Sequence, residues 1–274
     1  MHAREREPSV AGRFYPAAPR ELAQLVRGLM SEPVASPIAA RMLMAPHAGY
    51  VYSGAIAAAT FARVDVPPTA VVLCPNHTGR GDRRAVYASG SWAFPGFELA
   101  VDEELAARLV EHAGFRADTL AHAREHAAEV QMPFLHERRT DVRVVPVCLA
   151  GLSLEDCRVL GAGLANVVRE VERERRERIL LVASSDMSHY VPADVARHYD
   201  MHALERLLAL DPEGLFGVVE REDISMCGYV PTTVALFAAR ALGAEHAELV
   251  RYGSSGDVSG DPSSVVGYAG VVVH

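Results

Sequence analysis

The sequence lacks the features of a secreted, membrane-spanning or nucleic-acid-binding protein. Its four cysteines show no CxxC spacing, which argues against a disulfide framework and fits a reducing compartment. No apolar run approaches the roughly 18 residues that a membrane span requires. The N-terminal residues MHAREREPSV contain no apolar stretch and do not predict a signal peptide. The net charge of −8 disfavours nonspecific binding to nucleic acid or to anionic membranes, so we expect a soluble, cytoplasmic protein.

Several common functional motifs are also missing. The chain has no GxxxxGKS/T phosphate loop and no GxSxG nucleophile elbow. The polar segment SSGDVSGD does not match an EF-hand, which argues against a calcium site of that kind. With 274 residues, half of them hydrophobic, the chain is long enough to bury a large core. Because no linker, repeat or low-complexity tract divides it, we predict a single domain over residues 1–274.

Short apolar runs alternate along the chain with stretches of helical periodicity. The apolar runs predict strands that are buried on both faces, at Met42–Ala45, Ala70–Cys74, Val142–Leu149, Ile179–Ala183 and Val265–Val273. Helices are predicted around the stripe Leu22–Met30, at Gly54–Ala62 with Ser53 as its cap, and at Asp102–His112, Leu154–Glu177, Asp194–Leu208 and Thr232–Leu242. This alternation predicts an α/β fold with a central, largely parallel or mixed sheet flanked by helices.

Three histidines occupy the same kind of position relative to predicted strands. His47, His77 and His189 follow the first, second and fourth of these strands by two to six residues. The carboxyl ends of parallel strands lie along one edge of a sheet, where ligands bind, so the three side chains can converge. Neutral imidazole is also the commonest side-chain metal ligand. The pattern predicts a metal or catalytic site, and the alternative is that each histidine only caps or hydrogen-bonds its own loop.

Cys227 differs from the other three cysteines in its surroundings. It lies in SMCGYVPTT, just before a predicted helix, where a thiol can have a lowered pKa. We therefore expect either a functional thiolate or a structural cysteine here. The other cysteines lie in or beside apolar segments and are expected to be inert.

Three further polar residues are candidates for the same pocket. In EHAAEVQMPFL, His126 and Glu129 are three positions apart and would share a face if this segment were helical. Without a partner helix, a pocket-lining role is as reasonable as direct metal ligation. Asp186 precedes His189 by three residues and can orient an imidazole, although an Asx-turn is the alternative.

Five motifs occur along the chain in the order APHAGYVYSG, CPNHTGRG, EHAAEVQMPFL, SSDMSHY and CGYVPTTVAL. On these motifs, the sequence resembles the Memo family over nearly the whole chain. Its bacterial and archaeal members are often called AmmeMemoRadiSam system protein B. The resemblance implies a fold similar to that of class III extradiol dioxygenases, which hold non-haem iron with two histidines and one glutamate.

The resemblance also implies roles for individual residues. His47 and His77 match the two histidine ligands, Cys227 stands in place of the glutamate, and His189 matches the acid/base histidine. The remaining family-motif residues are expected at the same pocket, Asp186 in a catalytic role and His126 and Glu129 as lining residues. A thiolate is a softer ligand than a carboxylate, and we expect one transition metal, Fe(II) or copper in preference to zinc.

Two hypotheses about function follow from these residues and from the family resemblance. The first is a metal-dependent oxidoreductase that acts on an unknown small molecule or peptide. The alternative is a non-enzymatic peptide- or protein-binding module that acts with the AMMECR1-like and radical-SAM partners that the resemblance implies. Neither hypothesis includes nucleic acid or a membrane as a partner.

Overall fold

The computed structural model describes residues 5–32 and 36–274. The strands in this part of the chain are β1 Glu5–Arg6, β2 Met42–Ala45, β3 Thr69–Pro75, β4 Arg84–Val86, β5 Ser91–Phe94, β6 Phe97–Ala100, β7 Arg116–Ala117, β8 Arg143–Leu149, β9 Ile179–Ser184, β10 His189–Val191, β11 Ala247–Ser254 and β12 Val265–Val273. The helices are α1 Pro19–Leu29, α2 Tyr50–Ala62, α3 Glu103–His112, α4 Met132–Arg138, α5 Leu154–Arg175, α6 Ala193–Leu208, α7 Pro212–Arg221, α8 Tyr229–Ala241 and α9 Gly256–Ser259, with a 3₁₀ turn at Glu129–Gln131.

A central mixed sheet organises the molecule, as the sequence predicts. Its strand order is β10-β12-β2-β9-β3-β8-β4-β7, and β11 pairs antiparallel with β12 from Gly267 to Val273. The four middle strands, β2, β9, β3 and β8, are parallel to one another. The flanking strands β12 and β4 are antiparallel to their inner neighbours. A small second sheet has the order β1-β5-β6.

Helices pack against the middle strands because these strands are apolar on both faces. Every residue of β2, β3 and β9 is buried. Helix α2 contacts β2, β11 and β12, whereas α8 contacts β2, β3 and β9 and is covered in turn by α5. Gly161 permits the close approach of α5 to α8, since a Cβ atom there would lie 2.5 Å from the Cβ atom of Phe237.

The five predicted strands are confirmed, with ends that differ by at most one residue. The predicted cap of α2 is wrong. This helix begins at Tyr50 with Gly49 as its N-cap, so Ser53 already lies in the first turn, where its hydroxyl donates to the carbonyl of Ala48. The segment after His126 becomes helical only from Glu129, so these two residues do not share a helix face. In the described part of the chain, no helix is long and apolar enough to cross a membrane.

Candidate metal centre

Three imidazoles meet at the carboxyl edge of the central sheet. His47 follows the end of β2 by two residues, His77 follows β3 by two residues, and β9 lies between these strands. His126 comes from the loop before α4. One ligand atom from each of the three lies within 4.8 Å of the others, so the group can hold a metal ion. The ring centroids are 5.2 Å apart for His47 and His77, 5.5 Å for His47 and His126, and 4.8 Å for His77 and His126.

The hydrogen bonds of Ser184 determine which ring nitrogen of His47 is free. Nδ1 of His47 lies 2.9 Å from the Ser184 hydroxyl, which itself donates to the carbonyl of Ala127 at 2.7 Å. The hydroxyl has one hydrogen, so His47 must donate from Nδ1, and its Nε2 carries the lone pair. Burial lowers the pKa of His47 well below its usual value, and the neighbouring imidazoles lower it further. The ring is therefore neutral at physiological pH, as a metal ligand must be.

Glu125 orients the other two imidazoles. Its carboxylate is buried and accepts a hydrogen bond from Nδ1 of His77 at 2.9 Å, and the same oxygen lies 3.3 Å from Nδ1 of His126. A metal-binding histidine usually has its second nitrogen held by a carboxylate or carbonyl in this way. Burial alone would lower the pKa of His77, but the hydrogen bond to Glu125 outweighs it and raises that pKa. For His126, burial prevails and lowers the pKa.

Cys227 lies beside this group. Its Sγ is 3.2 Å from Nε2 of His47, the nitrogen that carries the lone pair, so the thiol donates to it. Burial raises the pKa of the Cys227 thiol well above its usual value, and the charge of Asp186 raises it further. The lowered pKa that a position before a helix can produce is therefore not found, because desolvation outweighs the hydrogen bonds that lower the pKa of the thiol.

Gly228 explains how Cys227 reaches His47. A Cβ atom at position 228 would lie 2.5 Å from the Cβ atom of Ser185 and would collide with the carbonyl of Ser184. The backbone N–H of Gly228 instead donates to the hydroxyl of Ser185 at 3.1 Å. The glycine thus lets the start of α8 rest directly on the end of β9.

His189 and Asp186 occupy the loop after β9. Nδ1 of His189 donates to the carbonyl of Ser225 at 2.9 Å, which leaves Nε2 free to accept a proton. The Asp186 carboxylate accepts the backbone N–H of His47 at 2.7 Å, and burial raises the pKa of Asp186 to about 6. His189 is close enough to His47 and Asp186 to influence the pKa of both.

Glu129 has partners in the N-terminal segment. Its buried carboxylate forms an ion pair with Arg6 at 2.8 Å and accepts hydrogen bonds from the backbone of Ser9 and Val10 and from the hydroxyl of Tyr15. These contacts fasten the N-terminal segment to the start of the 3₁₀ turn. The charge of Glu129 also acts on the pKa of His126, and the lining role of Glu129 stays a prediction.

The structure brings together most of the residues that the sequence singles out, and adds others. His47, His77 and Cys227 lie together, and His126, for which we predicted only a lining role, joins the imidazole group. Glu125 and Ser184 were missed. The acidic residue directly before His126 was the available signal for Glu125, whereas nothing in the sequence pattern marks the hydroxyl at the end of β9.

The chain is similar to known proteins over almost its whole length. The family described as Memo-like protein matches residues 6–272. A MEMO1 family protein of Methanopyrus kandleri is 42% identical over 282 residues, covering 98% of each chain. A MEMO1 family protein of Methanothermobacter thermautotrophicus is 37% identical, covering 96% of this chain and 98% of the relative. Another of Aquifex aeolicus is also 37% identical, covering 98% and 99%. The chain therefore belongs to the Memo family.

Proposed function

We propose that this protein is a metal-dependent oxidoreductase that holds one transition metal at His47, His77 and His126, with Cys227 as a further ligand. The observation that carries the proposal is that the Nδ1 atoms of His47 and His77 are committed to Ser184 and Glu125. Nε2 of each ring is directed toward the imidazole group, where the Cys227 thiol lies 3.2 Å from Nε2 of His47. A metal-binding histidine usually has one ring nitrogen held by a hydrogen bond, which orients the other nitrogen toward the metal, whereas a structural histidine does not need this division of roles.

The donor set favours a redox metal. Three imidazoles and a thiolate suit Fe(II) or copper, and we propose these in preference to zinc. When bound, such a metal supplies electron transfer and Lewis-acid activation. The similarity to class III extradiol dioxygenases that the motifs imply supports the same class of chemistry.

The chain itself contributes proton transfer and positioning. We assign proton transfer to Nε2 of His189, because its Nδ1 is held by the Ser225 carbonyl and its ring is only half-buried. Asp186 fixes the loop of His47 through its backbone N–H and supports His189 electrostatically. Phe14, whose ring lies 4.7 Å from that of His126, covers one side of the imidazole group.

The test is anaerobic titration with Fe(II), Cu(I) and Zn(II), followed by measurement of oxygen uptake. The wild type should bind about one metal per chain, and oxygen uptake should require Fe(II) or copper. His47→Ala combined with His77→Ala should abolish binding, whereas His189→Ala should keep the metal and lose uptake. Loss of the metal in His189→Ala would make that residue a ligand and contradict its assignment.

A second candidate function, a binding module, is favoured by exposed aromatic and aliphatic side chains near the site. Tyr190, directly after His189, is 79% exposed, and Val51 and Tyr52 in the first turn of α2 are 70% and 44% exposed. Such side chains suit contact with a peptide or protein, and AMMECR1-like and radical-SAM proteins are the proposed partners. Binding of a purified partner that persists in the His47→Ala, His77→Ala variant would favour this function over the oxidoreductase.

A further inference from the structure

A cavity of ligand size lies between α1, α4 and the turn that joins β5 to β6. Its volume is about 680 Å³, and none of the metal-centre residues lines it. Small-molecule sites typically have volumes of about 300–1,000 Å³ and mostly apolar walls. Apolar side chains of this kind form much of the wall here, among them Leu22, Val26, Phe97 and Pro133. We call this cavity the α1–α4 groove.

A column of parallel rings ends at the α1–α4 groove. Phe94 and Phe97 stack with centroids 4.8 Å apart and an interplanar angle of 6°, and Phe97 stacks on His136 at 4.0 Å and 5°. The inner end of the column contacts Tyr15, and in the described part of the chain no further ring packs on His136. Nδ1 of His136 is buried without a hydrogen-bond partner. Since His136 lines the groove, a planar ring bound there can extend the stack.

The charge around the groove is positive. Arg20 and Arg27 are seven positions apart on α1 and both line the groove, and within residues 5–32 and 36–274 neither forms an ion pair. Glu137 is the one carboxylate among the lining residues. Helix α1 begins at Pro19, and its N-cap residue Ala18 offers no side-chain cap, so the N–H groups of the first turn and the helix dipole favour an anion near this end.

We propose that the α1–α4 groove binds a planar aromatic anion, with its ring on His136 and its carboxylate held by Arg20 and Arg27. A guanidinium binds a carboxylate through two parallel hydrogen bonds, and the apolar wall excludes water from the ring. This binding is independent of the metal centre and of the proposed oxidoreductase function.

The test uses 2-naphthoate as the probe, with calorimetry on the metal-free protein. The neutral analogue 2-naphthalenemethanol and the non-planar anion cyclohexanecarboxylate should each bind at least tenfold more weakly than 2-naphthoate. Arg20→Gln with Arg27→Gln should weaken naphthoate binding about tenfold, consistent with the loss of a charge-assisted bidentate contact. Ala23→Phe, which fills the groove from α1, should abolish binding. Arg173→Gln, an exposed arginine on α5, is the matched control and should leave binding unchanged.

Three outcomes would overturn the proposal. Equal binding of 2-naphthoate and its neutral analogue would remove the role of the arginines. Unchanged binding to Ala23→Phe would place the probe elsewhere. Loss of binding in the His47→Ala, His77→Ala variant would place it at the metal centre. Binding that persists in this variant supports the groove, whatever the metal titrations show.

Discussion

Glu125 holds His77 through two hydrogen bonds. Its Oε2 accepts the backbone N–H of His77 at 2.6 Å, and its Oε1 accepts Nδ1 of the same residue at 2.9 Å. The carboxylate thus fixes both the loop after β3 and the orientation of the imidazole ring. Burial would raise the pKa of Glu125, but the hydrogen bond from His77 outweighs it and lowers that pKa.

We expect Glu125→Gln to weaken metal binding and to lower the pKa of His77. The glutamine amide is uncharged, so the carboxylate of residue 125 no longer opposes the lowering of the His77 pKa by burial. Loss of a carboxylate that is hydrogen-bonded to a metal-binding histidine lowers metal affinity by about 10–100-fold. NMR titration of the His77 ring and competition titration with zinc measure the two effects. Glu111→Gln, at an exposed carboxylate of α3, is the control, and an unchanged His77 pKa in Glu125→Gln would contradict this role.

Gly228→Ala should displace Cys227 from His47. The new methyl group would meet Ser185 and the end of β9, so the start of α8 must shift. Overpacking of this kind costs about 1–3 kcal/mol of stability, which urea denaturation measures. Alkylation of Cys227 should also become faster, and the other three cysteines, which are buried, provide the background.

Gly217→Ala is a matched control for this substitution. Gly217 lies inside α7, and a Cβ atom there meets no atom of the described residues within 4 Å. Alanine should stabilise the helix by about 0.5–1 kcal/mol and leave alkylation unchanged. Equal stability and equal alkylation of Gly228→Ala and the wild type would show that the close contact does not position the thiol.

Glu129→Gln should make the protein less stable at neutral pH and less sensitive to acid. Burial would raise the pKa of Glu129, but Arg6 and the hydrogen bonds from the N-terminal segment hold it below its usual value. A carboxyl whose pKa is lower in the folded than in the unfolded state stabilises the protein above its unfolded pKa of about 4.3. That stability is lost as the pH falls through the lower, folded-state pKa.

The substitution leaves Arg6 without its buried partner, which costs about 3 kcal/mol at pH 7. Urea denaturation between pH 3 and pH 7 measures the effect, with Glu177→Gln at an exposed position as the control. If Glu129→Gln and the wild type lost stability in parallel as the pH falls, the carboxylate would not be responsible for acid sensitivity.

Cys227→Glu should change which metal the site prefers. A carboxylate is a harder ligand than a thiolate, so the ratio of Fe(II) to Cu(I) affinity should rise by about tenfold or more. Parallel anaerobic titrations of the variant and of Cys227→Ser measure this ratio. An unchanged ratio in a folded Cys227→Glu variant would mean that residue 227 does not face the metal.

The strand-following histidines could be predicted because the central strands are marked by their own apolar runs. Every residue of β2, β3 and β9 is buried, so each strand is a continuous apolar run, and the end of that run in the sequence marks the end of the strand. Parallel pairing then brings the residues after these ends to one edge. The sequence therefore predicts that His47 and His77 lie together, and their ring centroids are 5.2 Å apart.

The role of His126 could not be predicted in the same way. The segment before α4 has no periodic pattern, and the position of His126 depends on contacts with distant parts of the chain. Arg6 donates to the carbonyl of Glu125 at 2.6 Å, and Ser184 donates to that of Ala127. These are long-range contacts of a loop, which no local signal in the sequence describes.

X-ray absorption spectroscopy of the protein loaded with one equivalent of zinc tests the central claim most directly. Imidazole gives a characteristic multiple-scattering pattern, and zinc–nitrogen distances are about 2.0–2.1 Å. We predict three imidazole ligands in the wild type and two in His126→Ala, with an unchanged count in His189→Ala. A spectrum without imidazole scattering, or a count that does not change in His126→Ala, would contradict the assignment of His47, His77 and His126 as a metal centre.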